Sequence, residues 1–543
     1  RDIKGSVAFW RGWVQVALGD FSSAVSYFGQ ALEWAQAGGD AEAQWRSLWG
    51  IGKSLWLTGD LARAEEYYEK AIECIEQIRG VIPETEIQKA YHGTVQDVYK
   101  EYLELLLQLE HLSETLWYSE RSRARSLLDI LSGGSIPNAR LVEIGGLVAR
   151  KAVDVEEIKD LIGQVPGVLQ DNEAVLVYGL GTEHLFMWIV TKELGIQGPI
   201  VQPCDYDALL LDVYEFRSQL ERLEVTTDLG NRLYELLIRP AEGMLEGKDT
   251  LIIVPSGPLW YVPFEALQVP GDPFSASYYL LQRYAIAYAP SLSSLPIILA
   301  AEDEQGNERV LAYVNPSRSD MPPIPSNLEA TVKEFAEAVG GGEVITGSQA
   351  TEAALKKLLP LASCDTGSCE VPFRYVVFGC HGVFRCANPL YSYVALGGGE
   401  GEDGNFYARE VLERRLSGVK MVLLLACESF LPAVESRIET TTMGLGRDIT
   451  PQEKVRVMRD LVQGDELVGL SRAFILAGAE AVLATRWELS APVGGELARH
   501  LGEELGKAPT KALALQSAQK KLIEAGTLEP WFWAPFILIG NWR

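Results

Sequence analysis

The stretch YVVFGCHGVF, Tyr375 to Phe384, begins as an apolar run and then meets Cys380, His381 and Gly382. About 45 residues on, KMVLLLACES, Lys420 to Ser429, repeats the design and ends on Cys427. An apolar run without alternation predicts a strand buried on both faces, as in a parallel sheet covered by helices. In such sheets, sites form beyond the carboxyl ends of the strands, where loops leave the core. The two stretches together predict one rim that carries a histidine and a cysteine.

Outward from this pair the pattern continues. AVLVYGLGTEHLFMWIVT (174–191) reads as two apolar strands around a turn, and DTLIIVPSGPLWYVPFEAL (249–267) as a strand ending in Pro-Ser-Gly. RVLAYVNPS is another strand, followed by the helix NLEATVKEFAEAV, a short strand into TGSQATEAALKKLL, the helix LVGLSRAFILAG and the strand AEAVLATRWEL. Strands alternating with helices predict an α/β region with a mainly parallel sheet from about residue 172 onward.

The first 130 residues are different, because they repeat. Gly12 and Gly52, Gly19 and Gly59, and Asp20 and Asp60 match at an offset of 40, as do Ala24 with Ala64, Phe28 with Tyr68, and Ala31 with Ala71. Small residues let helices approach, Gly-Asp marks the turn, and an aromatic fills the space between helices. The pattern resembles the tetratricopeptide repeat, whose period is about 34. The extra residues are expected in the connecting turn around AGGDAE. Further helices are predicted over 86–110 and 111–132, the second reading LSETLWYSERSRARSLLDIL, with arginines 121, 123 and 125 expected to include a solvated face. SGGSIPNARLVEIGG then breaks the pattern, which places a linker near 132–145. The fold class is thus a helical solenoid followed by an α/β domain; a solenoid recognises partners on its concave surface.

Bulk composition excludes some functions. The chain has 543 residues, 48 basic against 74 acidic, for a net charge of −26. That balance argues against a direct grip on nucleic acid, which needs cations to neutralise phosphates. No run of 18 apolar residues is present, so no membrane helix is expected. The chain begins at Arg1 inside a helical pattern, so the natural N-terminus is expected further upstream and a signal peptide cannot be judged. Seven cysteines, at 74, 204, 364, 369, 380, 386 and 427, fit a reducing compartment, and a cytoplasmic location is expected.

A cysteine acts as a nucleophile when a base or positive field makes it a thiolate, and histidine is the usual supplier. The glycine after His381 lets the backbone approach a substrate, so the amides of Gly382 and Cys427 are candidates for an oxyanion hole. On spacing alone the pair stays open between a dyad and two unrelated residues.

Several segments together resemble the CHAT family of caspase-like domains, relatives of separases and caspases. They are VPSGPLWYVPFEAL, FGCHGVFRCANPLYSYVAL, LLLACES, DELVGLSRAFILAGAEAVLATRWEL and PWFWAPFILIGNW, in the family's order over about 172–543. The SERSRARSLLDIL helix is similar to what precedes such domains when tetratricopeptide repeats lie upstream. The resemblance implies a cysteine endopeptidase with His381 as general base and Cys427 as nucleophile, acting on a protein substrate without a cofactor. It implies the division 1–132 repeats, 133–171 linker and helix, 172–300 a degenerate caspase-like half, and 301–543 the active half. It also implies a partner at the repeats, an activating protein or ribonucleoprotein; some repeat-bearing members pair with RNA-guided CRISPR effectors in prokaryotic defence.

Two features depart from the family pattern. About 35 residues, including SRIETTTMGLGRDITPQEKVRVMRDLVQG, intervene between the cysteine motif and the GLSRAF helix. They read either as a tolerated surface loop or as an element that gates the site over 432–462, with Arg437, Arg447 and Asp448 as candidate gating residues. The family's strand also continues into two acids, where this chain reads Trp487-Glu488-Leu489-Ser490-Ala491. Glu488 remains, but Ala491 replaces the second acid, so a strict Arg or Lys before the scissile bond is not expected and an apolar residue fits. Candidate substrate-pocket residues are Glu428, Trp487, Glu488 and Asp465; Glu428 reads equally as a group facing solvent.

The cysteines around His381 have the spacing C-x4-C-x10-C-H-x4-C, which is not that of two tight zinc pairs, so no metal is expected. No G-x-x-x-x-G-K-[ST] run supports ATP use. His92, His111, His184 and His500 read as surface or core residues on helices or a turn, Cys74 and Cys204 as structural. Trp531, Phe532, Trp533 and Phe536 read as cover for the sheet. Two other classes stay in view: a catalytically silent scaffold, and a thiol redox sensor pairing Cys427 with Cys380 or Cys386.

Overall fold

The computed structural model describes residues 3–79, 87–132, 155–224, 226–271, 278–300, 308–322, 324, 327–362, 371–385, 389–425, 450–461, 469–487 and 491–543. The described residues start with the helices α1 (Ile3–Leu18), α2 (Phe21–Gly38), α3 (Ala41–Leu57), α4 (Leu61–Arg79), α5 (Ile87–Gln108) and α6 (Leu112–Ser132). Their boundaries follow from the Gly-Asp turns. Asp20 accepts the Ser23 N–H at 3.1 Å and Asp40 the Ala43 N–H at 3.0 Å, each satisfying an amide that a helix start leaves open. Gly19 and Gly59 stand before their aspartates at φ of 77° and 82°, a left-handed conformation that glycine adopts freely.

Packing between the helices rests on one aromatic wedge per repeat. Phe28 is fully buried, and a Cβ on Gly12 or Gly50 would come within 2.6 Å or 2.7 Å of its ring. Tyr68 does the same job against Gly52 at 3.0 Å. The extra residues of the long period are not in a turn, as the sequence suggested. Only Gly39 and Asp40 of AGGDAE lie between α2 and α3; the rest is helical, because Gly39 and the Asp40 cap end one helix and start the next in two residues.

The arginines of α6 also depart from expectation. Arg121 and Arg123 are 7% and 2% exposed, because α6 lies between the repeats and the sheet that follows. Arg123 donates to the carbonyls of Tyr178, Val254 and Pro255, the ends of two strands, and pairs with Glu120 at 3.2 Å. The side chain of Arg125 lies outside the described residues.

Fourteen strands follow among the described residues: β1 (Glu173–Leu180), β2 (His184–Thr191), β3 (Gly195–Pro203), β4 (Thr250–Val254), β5 (Ala285–Tyr288), β6 (Val310–Pro316), β7 (Gly342–Gly347), β8 (Tyr375–Gly379), β9 (Gly382–Val383), β10 (Tyr393–Ala395), β11 (Asn405–Tyr407), β12 (Met421–Leu424), β13 (Ala481–Thr485) and β14 (Phe536–Gly540). Eleven form one sheet in the order β3-β2-β1-β4-β5-β14-β13-β12-β8-β6-β7, and β11-β10-β9 form a small second sheet. Pairing in the large sheet is parallel except at β1–β2, β2–β3 and β13–β14, and the small sheet is antiparallel throughout. The C-terminal strand β14 thus sits between the strands before residue 300 and those after it. Phe536, expected to cover the sheet, is the first residue of that strand.

Every residue of β4, β5, β8, β12, β13 and β14 is buried, which requires cover on both faces. The cover includes α7 (Val155–Val168), α8 (Tyr206–Glu221) and α9 (Asn327–Val339), then, after α10 (Pro451–Leu461), which packs on α8, also α11 (Gly469–Leu476), α12 (Ala491–Leu505) and α13 (Lys511–Glu524). No helix among the described residues is long and apolar enough to cross a membrane.

Candidate active site

Strand β8 lies between β6 and β12, and the residue after it, Cys380, is 2% exposed. His381 follows as the chain leaves the sheet, and its ring is only partly covered. Its Nε2 lies 2.9 Å from the carbonyl oxygen of Pro322. A carbonyl only accepts, so Nε2 is the donor, and in the neutral ring Nδ1 is the nitrogen with the lone pair. The tautomer is therefore set by a backbone atom.

The backbone of His381 is held from the other side. The Ala395 N–H of β10 donates to the His381 carbonyl at 2.8 Å, and Gly382 stands opposite Val394 in the next step of that ladder. In an antiparallel pair this register leaves Gly382 and Val394 without mutual hydrogen bonds. The Gly382 N–H points away from β10, on the open edge of the small sheet.

On the neighbouring strand, Leu425 donates its N–H to the Phe378 carbonyl at 3.0 Å. Cys427 and Glu428 lie outside the described residues, as do Glu488, Asp465, Arg437, Arg447, Asp448, Cys364, Cys369 and Cys386. Trp487 is described: it is 2% exposed, stacks on Trp531 with centroids 5.2 Å apart, and donates its indole N–H to the Trp531 carbonyl at 3.0 Å. It forms a wall of the core beyond the end of β13.

Beside Trp487 is a buried charge pair that the sequence reading missed. Arg486 donates to Glu265 at 3.1 Å and to the Ala534 carbonyl at 3.2 Å, and the Tyr288 hydroxyl donates to Glu265 at 3.0 Å. Burial pushes the Glu265 carboxyl up, against the pull of the Arg486 charge. Arg217 of α8 donates to the Arg486 carbonyl at 3.2 Å. Residues from before 300 thus anchor the segment that enters Trp487-Glu488. Charges inside the apolar runs VPFEAL and ATRWEL are the signal that marks Glu265 and Arg486. Pro322 leaves no such signal, because its part is played by a carbonyl.

The other histidines sit apart from this rim. His184 opens β2 rather than lying in a turn, with Nδ1 2.7 Å from Glu104, and His111 contacts Glu65 at 2.7 Å. His500 lies on α12 near Glu503, its imidazole pKa lowered mainly by burial. The side chain of His92 lies outside the described residues. Among the described residues, one trio could hold a cation: Glu352, Glu402 and Glu410. The Lys356 ammonium already contacts all three at 2.6, 2.8 and 2.8 Å.

A CHAT domain family model matches residues 227–541, and a tetratricopeptide repeat model matches residues 10–77. Among curated proteins, tetratricopeptide repeat protein 28 is 25% identical over 151 residues in Mus musculus and 27% in Homo sapiens. That match takes in 27% of this chain, which spans only 6% of the length of these relatives. Among solved structures, chains from two structures of the Saccharomyces cerevisiae separase–securin complex align with 99% of this chain and 47% of their own length. Their TM-scores are 0.40 and 0.42, at 12% and 11% identity. The chain belongs to the CHAT domain family and carries tetratricopeptide repeats ahead of that domain.

Proposed function

We propose that the chain is a cysteine endopeptidase that works through Cys427 and His381 and is regulated by a partner bound to its repeats. The observation that carries this reading is a register. Met421 pairs with Tyr375 and Leu424 with Phe378, an offset of 46, and the same 46 positions separate His381 from Cys427 in the sequence. Adjacent strands run about 4.8 Å apart, so this shared offset supports the reading that the two side chains meet at the rim for a proton transfer.

The tautomer at His381 supports the role of base. With Nε2–H committed to Pro322, Nδ1 takes the thiol proton of Cys427. The thiolate attacks the scissile carbonyl, the carbon–nitrogen bond breaks, and the imidazolium returns the proton to the leaving amine. Water, deprotonated by the same nitrogen, then releases the acyl group and regenerates the thiol. The Gly382 N–H, pointing off the edge of its sheet, and the Cys427 N–H serve the oxyanion. Glu428, Trp487, Glu488 and Asp465 shape the substrate pocket in this reading, and the 432–462 insertion, with Arg437, Arg447 and Asp448, gates it. With Ala491 in place of the second acid, cleavage after an apolar residue is compatible with the pocket.

The regulating partner is a protein or ribonucleoprotein, of which an RNA-guided CRISPR effector in prokaryotic defence is one class. At a net charge of −26, contact with such a particle runs through its protein rather than its phosphates.

Mapping new protein N-termini in a lysate tests the function. Wild type is compared with Cys427→Ala and His381→Ala, alone and with proteins that co-purify on the repeats. Termini that appear with wild type and with neither variant support the protease and reveal the residue cut. Identical termini in all three samples overturn it.

A further inference from the structure

The loop that presents Pro322 to His381 has its own anchor. Strand β6 ends at Pro316, and the chain crosses to the rim over residues 317–322. Arg318 lies in that crossing with its side chain only 12% exposed. Its Nη1 donates to the Leu396 carbonyl at 3.0 Å, the Gly404 carbonyl at 2.9 Å and the Asn405 side chain at 3.1 Å. Its Nε and Nη2 take both carboxylate oxygens of Asp320, at 2.8 Å and 2.7 Å. One planar fork thus ties the loop to itself and to the end of the small sheet. The Arg318 side chain in turn holds the Asp320 carboxyl down to about 2.

The acceptors are not scattered. Ala395 donates to the His381 carbonyl at 2.8 Å, and the next residue, Leu396, accepts from Arg318. The histidine backbone and the loop opposite its ring therefore hang on two consecutive residues, the last of β10 and the one that follows it. We propose that Arg318 is a positioning residue for His381, fixing the distance from Pro322 to Nε2 and so the tautomer that leaves Nδ1 free to accept a proton. The proposal rests on the reading of His381 as the base for Cys427. A lysine in this place cannot replace the fork, since a single ammonium does not serve the paired carboxylate oxygens and the sheet carbonyls in the same planar geometry.

Thiol alkylation tests this without a known substrate. The full chain is treated with iodoacetamide at neutral pH, and modification of the Cys427 peptide is followed by mass spectrometry, because the thiolate is the reacting form. His381→Ala should slow the reaction by about tenfold or more. Arg318→Ala should slow it roughly fivefold or more, toward the His381→Ala rate, and Arg318→Lys should recover only part of the loss. Arg309→Ala removes an exposed pair between the residue before β6 and Glu343 of β7 and should leave the rate unchanged. If Arg318→Ala does not fold by circular dichroism, Asp320→Asn decides, because it loosens the fork from a side chain that is 61% exposed. It should then slow alkylation by about twofold or more. An unchanged rate in His381→Ala overturns the dyad itself. A slow His381→Ala beside a wild-type rate in folded Arg318→Ala, or in Asp320→Asn where it decides, leaves the dyad standing and overturns the positioning role.

Discussion

Glu120, on the last helix of the repeat region, accepts both the N–H and the hydroxyl of Ser293, at 3.0 Å and 3.1 Å, across 173 positions of sequence. Its side chain and that of Arg123 are fully enclosed. A buried carboxylate held by a cation and two donors ties the repeats to the segment after β5. Removing one member of such a group strands the other and costs about 3–5 kcal/mol. Glu120→Ala should therefore lower stability by that amount in urea unfolding and separate one transition into two. Glu120→Gln keeps an acceptor and should cost about 1–2 kcal/mol. A loss below that for the alanine would mean that α6 is held by its apolar contacts alone.

The aromatic wedge gives a second expectation, with its own control. A Cβ at Gly50 would fall 2.7 Å from the Phe28 ring, while one at Gly29 meets nothing within 4 Å. Both glycines are helical. Gly50→Ala should cost about 1–3 kcal/mol through overpacking, whereas Gly29→Ala should gain about 0.5–1 kcal/mol from the lower entropy of the unfolded chain. Thermal melting of the two variants in opposite directions is the outcome to look for. Equal effects would show that the ring has room to move.

Much of this architecture was legible because burial on both faces leaves its mark on every residue of a strand. Tyr375–Gly379 and Met421–Leu424 could be placed, and the rim at His381 with them. The repeat was visible because Gly-Asp turns and an aromatic wedge recur in fixed register. What stayed hidden depends on distant partners. Nothing local says that β14 pairs with β5 on one side and β13 on the other. Arg121 and Arg123 read as solvated because an amphipathic helix normally has one wet face, and here Glu76 of α4 meets Arg121 while the strand ends cover Arg123. Pro322 was invisible because a carbonyl has no residue code. The AGGDAE segment was misread because Gly-Gly suggests a loop, although a single left-handed glycine suffices to end a helix.

The carboxylate trio offers a test of metal dependence. Lys356 reaches Glu352, Glu402 and Glu410, and burial pushes the Glu352 carboxyl up against the pull of Lys356. The ammonium fills the place of a cation, so calcium or magnesium should leave the melting temperature of the wild type unchanged. Lys356→Ala should destabilise by about 3 kcal/mol, and calcium should then restore part of the loss by binding the exposed oxygens. Stabilisation of the wild type by calcium would mean that the lysine is displaced.

The insertion after the cysteine motif is open to a milder probe than deletion. Its described part, α10, docks on α8: Met458 and Val455 are 2% and 8% exposed, Lys454 lies 4.1 Å over the Tyr214 ring, and Arg459 pairs with Asp207 at 2.6 Å. The ion pair is exposed and contributes at most about 1 kcal/mol, so Arg459→Ala should leave the helix docked. Met458→Asp puts a charge into the apolar contact and should release it, seen as faster amide exchange in 451–461 and along α8. Arg217, on the same α8, holds the Arg486 carbonyl at the entry to Trp487-Glu488. If the insertion gates the site, Met458→Asp changes partner-dependent cleavage while His381 and its Pro322 contact stay intact. Released exchange with unchanged cleavage would make the insertion a surface addition that only rests on α8.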